Sequence, residues 1–236
     1  MFLIAQTIDI PRFIQVFIVQ GFFGLFFLFM AYKILRREAK GINLILSGFY
    51  LFTGVGVIIN IIYVNIYIES VVWVLHFITY FLLCLSLIFL LLFVLVLSKS
   101  EQVINLKIQL LLILIFSILI LILLFIPDGI KINETTNWKP DWSIPFLIYS
   151  YIVCSSVAIG PSIFYALKIF QKIEHKKLKK KWKYFMIGIS AYYFLYYGTS
   201  LSNTLADPTF RLIWSVISLP TLITLYFIYY GVAKQL

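Results

Sequence analysis

The feature that most constrains this chain is a series of uninterrupted apolar runs, each long enough to cross a lipid bilayer. The longest run, residues 71–98, contains no Asp, Glu, Lys or Arg. A membrane-spanning helix needs about 20 apolar residues, whereas a membrane-barrel strand needs about ten, alternating with polar ones. With 63% hydrophobic and 12% charged residues, the composition also lies outside the range of soluble domains. We therefore predict an all-α, multi-pass integral membrane protein, with the cell membrane as the expected location.

The apolar runs predict a seven-transmembrane-helix bundle that forms a single membrane domain over residues 1–236. The predicted helices cover residues 13–35, 42–67, 71–98, 106–126, 144–170, 183–204 and 210–232. Because these helices take up most of the chain, we expect no separate soluble catalytic or signalling domain. Any chemistry must then lie inside the bundle or in its short loops.

The basic residues alternate between successive connections of the predicted helices. Only Arg12, Lys131, Lys139 and Arg211 fall on one side. The other fifteen are Lys33, Arg36, Arg37, Lys40, Lys99, Lys107, Lys168, Lys172, Lys176, Lys177, Lys179, Lys180, Lys181, Lys183 and Lys234. Basic residues accumulate on the cytoplasmic side of membrane proteins. The pattern predicts the N-terminus outside and the C-terminus in the cytoplasm, and it accounts for the net charge of +10 without nucleic-acid binding.

The link between predicted helices five and six is strongly basic, with eight Lys and one Glu over residues 168–183. One interpretation is a contact site for an acidic partner or for anionic membrane lipid, since basic residues are attracted to such surfaces. The alternative is a determinant of membrane orientation with solvated side chains. The candidate contact residues are Lys172, Lys176, Lys177, Lys179, Lys180 and Lys181.

Polar and aromatic residues recur at intervals of three and four along five of the predicted helices, which places them on single faces. Counting 1.5 Å per residue from the outer helix ends puts nine of them in the outer half of the membrane. These nine are Asn60, Tyr63, His76, Tyr80, Tyr151, Ser155, Tyr197, Ser200 and Ser218. They predict an outward-facing polar and aromatic cavity that binds a small or lipid-like ligand. The alternative is a dry network of hydrogen bonds between helices.

Three further residues stand out inside the apolar runs. His76 is the only ionisable side chain placed well within a predicted span, which makes it a candidate for proton sensing, proton coupling or ligand binding. The alternative is a histidine that is bonded to Asn60 or Tyr197 and has none of these roles. Pro161 and Pro220 each remove a backbone donor, so we expect bends that are either hinges or static kinks.

No enzymatic or cofactor motif is present in the sequence. It contains no HExxH or GxSxG motif and no Asp within a predicted span, and its Cys and His residues lack metal-site spacing. Cys84 and Cys154 lie in apolar runs, so we interpret them as small packing residues. The seven-helix topology resembles that of microbial rhodopsins, but residues 214–230 contain no lysine for a retinal Schiff base. We predict neither an enzyme nor a bound cofactor.

Three functions remain open for such a bundle. The leading hypothesis is a receptor-like sensor that binds its ligand in the outer cavity and signals through a separate cytoplasmic or membrane partner. The second is a small transporter of three helices, a linker helix and three more, a plan that resembles sugar-efflux transporters. Helix four, with Ser117 as its only central polar residue, suits a peripheral linker. The third is a structural or assembly subunit, and a homo-oligomer is compatible with each.

Overall fold

The computed structural model describes residues 10–37 and 41–233. Four residues of the charge pattern, Asp9, Glu38, Lys40 and Lys234, lie outside the described residues. Most of the described chain is helical, apart from one short β-hairpin. The predicted all-α class is therefore confirmed.

Eight helices are present in the part of the chain that the structure describes. They are α1 Phe13–Arg37, which the short helical turn Ile10–Arg12 directly precedes, α2 Gly41–Tyr63, α3 Glu69–Lys99, α4 Leu106–Leu121, α5 Ile144–Lys172, α6 Lys176–Leu205, α7 Pro208–Ser218 and α8 Thr221–Ile228. Helix α4 continues as a 3-10 turn, and α8 continues as a π turn. Within the described ranges, α1, α2, α3, α4 with its 3-10 turn, and α5 are long and apolar enough to cross a membrane. Several long apolar helices indicate an integral membrane protein.

Three predicted helix boundaries differ from the structure. Helix α2 ends at Tyr63 rather than at residue 67, because the chain turns before α3 begins. Helix α6 begins at Lys176 rather than at residue 183, so it carries basic residues in its first turns. The predicted helix over 210–232 is two helices separated at Pro220. With 11 residues, α7 alone is about 17 Å long, too short to span a bilayer.

Helix α3 occupies the centre of the bundle and α4 its periphery. Helix α3 packs against α2, α4 and α5, while α1 contacts α2 and α7, and α6 contacts α5, α7 and α8. In the most apolar stretch of each helix, 61% of α3 but only 17% of α4 is buried. Helix α4 exposes large side chains such as Leu110, Leu114 and Ile118. This confirms the peripheral position that its uniformly apolar sequence predicts.

A β-hairpin covers one end of the bundle, which we call the hairpin end. Strand β1, Ile130–Lys131, pairs antiparallel with β2, Asp141–Trp142. The intervening loop carries Trp138, which is buried, as is Trp142. Both tryptophans are residues that sequence position alone would place at the lipid interface. Instead they pack beneath the hairpin and attach it to the helices, which turns the loop into a cover.

Candidate functional site

A cavity of about 220 Å³ lies beneath the hairpin, between α1, α2, α3, α6 and α7. Pockets for small molecules usually measure about 300–1,000 Å³, so this one suits a small ligand or one that extends through the mouth. Its walls combine apolar side chains with hydroxyl, amide and indole groups. Such a mixture orients a ligand through a few polar contacts and encloses it in apolar surface.

The mouth of the cavity is lined by three basic residues, Arg12, Lys139 and Arg211. Arg12 donates from Nη2 to the carbonyl of Trp138 at 2.8 Å, and Arg211 donates from Nη2 to the carbonyl of Pro140 at 2.6 Å. The two arginines, one directly before α1 and one in α7, therefore hold the hairpin over the opening. Among the described residues that line the cavity there is no carboxylate.

His76 joins the hairpin to the helices at the upper wall of the cavity. The indole N–H of Trp142 donates to Nε2 of His76 at 3.0 Å, and the hydroxyl of Tyr63 lies 2.7 Å from Nδ1. All three side chains are buried. Because an indole can only donate, Nε2 must accept and Nδ1 must carry the proton of a neutral ring. The expected partners, Asn60 and Tyr197, are not the ones that the structure shows.

Two amide side chains of α1 face the cavity from a π-helical segment, Phe13–Gln20. Gln20 accepts a hydrogen bond from the amide of Asn60, and Gln15 accepts one from the hydroxyl of Ser218 at 3.0 Å. Gln15 and Gln20 both line the cavity. A spacing of five residues would separate them by about 140° on a regular α-helix, whereas π-helical winding brings them to one face.

The floor of the cavity is a bonded cluster of buried side chains. Tyr192 shares hydrogen bonds with Ser86 at 2.5 Å and with Thr53 at 3.1 Å. The rings of Phe27 and Phe49 pack against Tyr192 with centroids 6.3 and 5.1 Å away. These contacts join α1, α2, α3 and α6 and close the cavity toward the opposite end of the bundle.

The hydroxyl of Thr79 is the one polar atom of the cavity wall that is buried without a hydrogen-bond partner among the described residues. Thr79 is 5% exposed. Its helix packs closely on α2, where Gly56 lies so near the Thr79 carbonyl that a Cβ would approach it to 3.2 Å. A buried hydroxyl without a partner is unfavourable, which makes Thr79 a candidate position for a contact with a ligand.

Two tyrosine doublets on α6, at 192–193 and 196–197, each place one ring in the cavity wall and the next against α5. Tyr192 and Tyr196 line the cavity. Their neighbours face α5, where Tyr193 donates to Ser162 at 2.7 Å and Tyr197 lies 2.5 Å from the hydroxyl of Ser155. Tyr197, which the sequence predicts in the cavity, is therefore displaced by one residue from the cavity face.

The structure brings five of the nine predicted ligand-binding residues to the cavity. Those five are Asn60, Tyr63, His76, Tyr80 and Ser200. Tyr80 also shares a hydrogen bond with the fully buried Ser150, which closes the wall toward α5. That any of the five contacts a ligand stays a prediction.

The other four predicted residues do not line this cavity. Tyr151 donates to the Tyr197 carbonyl at 2.5 Å, and Ser155 bonds to the Tyr197 hydroxyl. These three belong to the contact between α5 and α6, where packing is the alternative that the geometry favours. Ser218 lies behind Gln15, to which it donates, so it orients a cavity residue rather than forming the wall.

The candidate hinges lie at interruptions of regular helix. Pro161 directly follows the start of the α-helical stretch Gly160–Lys172, which a π-helical segment, Cys154–Ile159, precedes. Pro220 separates α7 from α8. Whether either position moves stays a prediction.

The candidate lysine contacts lie where α5 ends and α6 begins, far from the hairpin along both helices. One of them, Lys179, places Nζ 5.1 Å from the ring centroid of Phe170. The whole set is Lys172, Lys176, Lys177, Lys179, Lys180 and Lys181. Binding of a partner or of anionic lipid there stays a prediction.

Several cavity residues were missed by the sequence reasoning. Thr79 lies three residues after His76 and so shares its helix face, a signal that could have identified it. The cations of the mouth are three of the four basic residues left on the outer side by the charge pattern, although no role was inferred for them. Gln15 and Gln20 were not predictable as cavity residues, because residues five positions apart do not share a face of a regular α-helix.

Within residues 10–37 and 41–233, no cluster of His, Cys, Asp and Glu is suited to hold a metal ion. Comparison with known protein families, with curated proteins and with solved structures finds no match for this chain. Its function is therefore inferred from the chemistry of the cavity.

Proposed function

We propose that this protein is a small membrane receptor or sensor with seven membrane spans, in which α1 to α6 each form one span and α7 and α8 together form the seventh. Its N-terminus lies outside and its C-terminus in the cytoplasm, and it binds a small or lipid-like ligand in the cavity under the hairpin. The observation that carries the proposal is this cavity, which is open at one end, closed by the Tyr192 cluster below, and lined by both polar and apolar groups. A bundle that served only a structural role would be expected to fill this space with its own side chains, as close-packed protein interiors do.

The orientation is supported by the distribution of charge at the two ends of the bundle. Helix α1 runs from the hairpin end to Arg36 and Arg37. Lys99 ends α3, and Lys107 lies in the first turn of α4. Because basic ends remain in the cytoplasm, the hairpin and the cavity mouth face outward in this proposal. The lysine-rich start of α6 then faces the cytoplasm.

Helix α6 provides a route from the ligand to a partner. It extends over 30 residues, from Lys176 to Leu205, and carries Tyr192 and Tyr196 in the cavity wall. Its other end contributes the lysines for which an acidic partner or anionic lipid is the expected contact. A ligand that displaces the tyrosines would shift this helix and change the arrangement of its basic end.

The proposal is tested by cysteine accessibility in intact cells. The background variant is Cys84→Ala with Cys154→Ala, which removes two buried thiols that lie 3.9 Å apart. Single cysteines then replace Asn60 and Ser200 in the cavity. Ser155 of α5, at the contact with α6, serves as the control. A small membrane-impermeant methanethiosulfonate reagent is added outside. We expect modification at Asn60→Cys and Ser200→Cys but not at Ser155→Cys.

If the two cavity positions stay unmodified while the protein is folded, the outward binding cavity is wrong. The measurement also separates the second candidate, the transporter, which is favoured by the peripheral position of α4 as a linker helix. Modification from both membrane sides would indicate alternating access and transport. Modification from the outside alone would favour the receptor.

A further inference from the structure

We infer that the ligand of this cavity is a neutral, planar molecule with a carboxamide-like edge, where a hydrogen-bond acceptor and an N–H donor lie side by side, and that the hydroxyl of Thr79 is one of its contacts. This inference rests on the proposed binding function and specifies its ligand class. Four features of the described lining residues carry it: amides with unused hydrogen-bonding groups, aromatic side chains, basic groups that are already engaged, and the buried hydroxyl of Thr79.

Four carboxamide side chains line the cavity, and they belong to Gln15, Gln20, Asn60 and Asn203. An amide inside an apolar helix bundle is unfavourable unless its donor and its acceptor both find partners. Gln20 and Asn60 bond to each other through Oε1 and Nδ2, which leaves Nε2 of Gln20 as a donor and Oδ1 of Asn60 as an acceptor. Neither atom has another hydrogen bond to a described residue. The bonded pair therefore offers a ligand one donor and one acceptor.

The other two amides add further unused groups. Gln15 accepts from Ser218 through Oε1, so its Nε2 donor has no partner among the described residues. The side chain of Asn203, near the C-terminal end of α6, makes no hydrogen bond to a described residue either. Side-chain amides pair best with an edge that carries a donor next to an acceptor. A primary amide, a lactam and a nucleobase all have such an edge.

Aromatic side chains make up much of the remaining lining. Phe23, Phe27, Tyr80, Trp142 and Trp214 contribute to it from α1, α3, β2 and α7. Aromatic rings favour offset stacking and edge-to-face contacts with other rings. A volume of about 220 Å³ suits a small ring system. The walls therefore favour a flat ligand over a long flexible chain.

The charges of the lining do not select for an ion. Arg12, Lys139 and Arg211 are each engaged in interactions within the protein, and no carboxylate is among the described lining residues. His76 is neutral, because it accepts from the indole of Trp142. An ion that leaves water needs an opposite charge or several strong hydrogen bonds. We therefore expect a ligand without net charge.

Thr79 provides a further polar contact. Its hydroxyl is buried and has no hydrogen-bond partner among the described residues, and its side chain belongs to the lining. Its helix packs on α2 at Gly56, which is four residues, or about 6 Å, from Asn60 along the same helix. Thr79 and Asn60 thus lie on neighbouring turns of two packed helices. A ligand bound to Asn60 is close enough to bond to Thr79 as well.

The test measures how probes of matched shape protect a cysteine in the cavity. The protein is Ser200→Cys in the cysteine-free background, purified as the full chain in nanodiscs, and the readout is its rate of modification by the methanethiosulfonate reagent. The neutral probes are benzamide, acetophenone and α-methylstyrene, in which first the N–H donor and then the carbonyl acceptor is replaced by carbon. Benzoate and benzamidinium have the same shape with a negative or a positive charge. At equal free concentration we expect benzamide to bind about tenfold more tightly than acetophenone.

The possible outcomes separate the ligand class from the cavity itself. Equal protection by acetophenone or α-methylstyrene would overturn the carboxamide edge, and tighter binding of benzoate or benzamidinium would overturn the neutral ligand. Modification of Ser200→Cys that no probe slows would also overturn the inference, although the accessible cavity would stand. If Ser200→Cys is not modified at all in the folded protein, the proposed binding function is wrong.

A substitution of Gln20 tests which amide meets the ligand. Gln20→Glu keeps the oxygen that accepts from Asn60 but replaces the Nε2 donor by a second oxygen. We expect benzamide to bind about tenfold more weakly and benzamidinium to bind more tightly, because an amidinium has N–H donors on both sides. The control is Gln171→Glu, since Gln171 is exposed near the end of α5 and does not line the cavity. An unchanged ratio of the two affinities in Gln20→Glu, or the same change in the control, would overturn the inference.

The contact with Thr79 is tested by Thr79→Val, which keeps the shape of the side chain and removes only the hydroxyl. Benzamide should bind several-fold more weakly to this variant, whereas α-methylstyrene, which has no polar atom, should bind as before. Unchanged binding of benzamide, or an equal loss for α-methylstyrene, would exclude Thr79 as a ligand contact.

Discussion

At the scale of single residues, the hydrogen bonds of His76 decide what this side chain can do. The indole of Trp142 donates to Nε2, so Nε2 has no proton and the ring is neutral. If Nε2 of His76 gained a proton, its N–H would face the indole N–H of Trp142 with no acceptor between them. The hydrogen bond between α3 and the hairpin would then be lost. His76 therefore joins the cover of the cavity to its wall only while the ring is neutral.

Replacement of Trp142 by Phe tests this contact. The variant keeps an aromatic ring between Tyr80 and Phe146, which lie 5.1 and 5.0 Å away, but leaves Nε2 of buried His76 without a donor. We expect the free energy of unfolding in detergent to fall by about 1–2 kcal/mol. The matched control is Trp138→Phe. The ring of Trp138 packs on Tyr67, and its indole N–H makes no hydrogen bond to another described residue.

Both variants lose an indole N–H, but only Trp142→Phe loses one that is hydrogen-bonded to another side chain, His76. A loss of stability that is equal in both would mean that the bond to His76 contributes nothing beyond aromatic packing. A greater loss in Trp142→Phe would support the contact. Thermal or denaturant unfolding followed by near-ultraviolet circular dichroism provides the measurement.

Much of the residue-level site followed from helical periodicity, and its errors have a physical cause. Asn60 and Tyr63 belong to a stripe on α2 that is indeed buried. On α6, the doublets at 192–193 and 196–197 offer two equally regular tyrosine stripes, separated by about 100°. Periodicity cannot choose between them, because the choice depends on which neighbouring helix each stripe meets.

At the scale of elements, the apolar runs locate the helices but not their irregular turns. The length of each run follows from the thickness of the bilayer, so most helix ends were predictable within a few residues. The π-helical segment at Phe13–Gln20 was not, since no residue type requires it. It nevertheless brings Gln15 and Gln20 to one face, and thereby places both amides in the cavity.

The break between α7 and α8 has a chemical cause. Pro220 cannot donate a hydrogen bond to the preceding turn, and the Leu219 N–H bonds to the Val216 carbonyl over three residues instead of four. Hydroxyls on both sides of the break donate to carbonyls three residues earlier; they belong to Ser215, Ser218, Thr221 and Thr224. Such bonds satisfy backbone groups that a proline leaves exposed to lipid.

Replacement of Pro220 by Ala should straighten this segment. Spin labels at the exposed positions Leu212 and Tyr226 report the distance across the break by pulsed electron paramagnetic resonance. We expect a longer distance in Pro220→Ala, because a continuous helix is more extended than a bent one. In the control, Pro208→Ala, the distance should not change, since Pro208 is in the first turn of α7, where proline causes no bend.

An unchanged distance in Pro220→Ala would show that neighbouring helices impose the break. The relevant contact is with α6, where Gly188 lies so close to α8 that a Cβ would come within 2.7 Å of the Ile228 backbone nitrogen. That result would also weaken the interpretation of Pro220 as a hinge. A segment fixed by close packing on α6 has little freedom to bend.

At the scale of the whole molecule, the two ends of the bundle differ in chemical character. The hairpin end carries the cavity, its cover and three cations at the mouth. The opposite end carries the long basic start of α6. The difference in charge was predictable from the sequence. The hairpin cover was not, because it depends on contacts between Arg12, Arg211 and the carbonyls of residues distant in the sequence.

The proposed orientation predicts which end is accessible from outside the cell. In the cysteine-free background, Glu134→Cys on the hairpin loop and Lys177→Cys at the start of α6 both replace exposed side chains. A membrane-impermeant maleimide should label Glu134→Cys in intact cells and Lys177→Cys only after permeabilisation, because the basic end is retained in the cytoplasm. The opposite pattern would place the cavity mouth in the cytoplasm, and the ligand would then have to be an intracellular one.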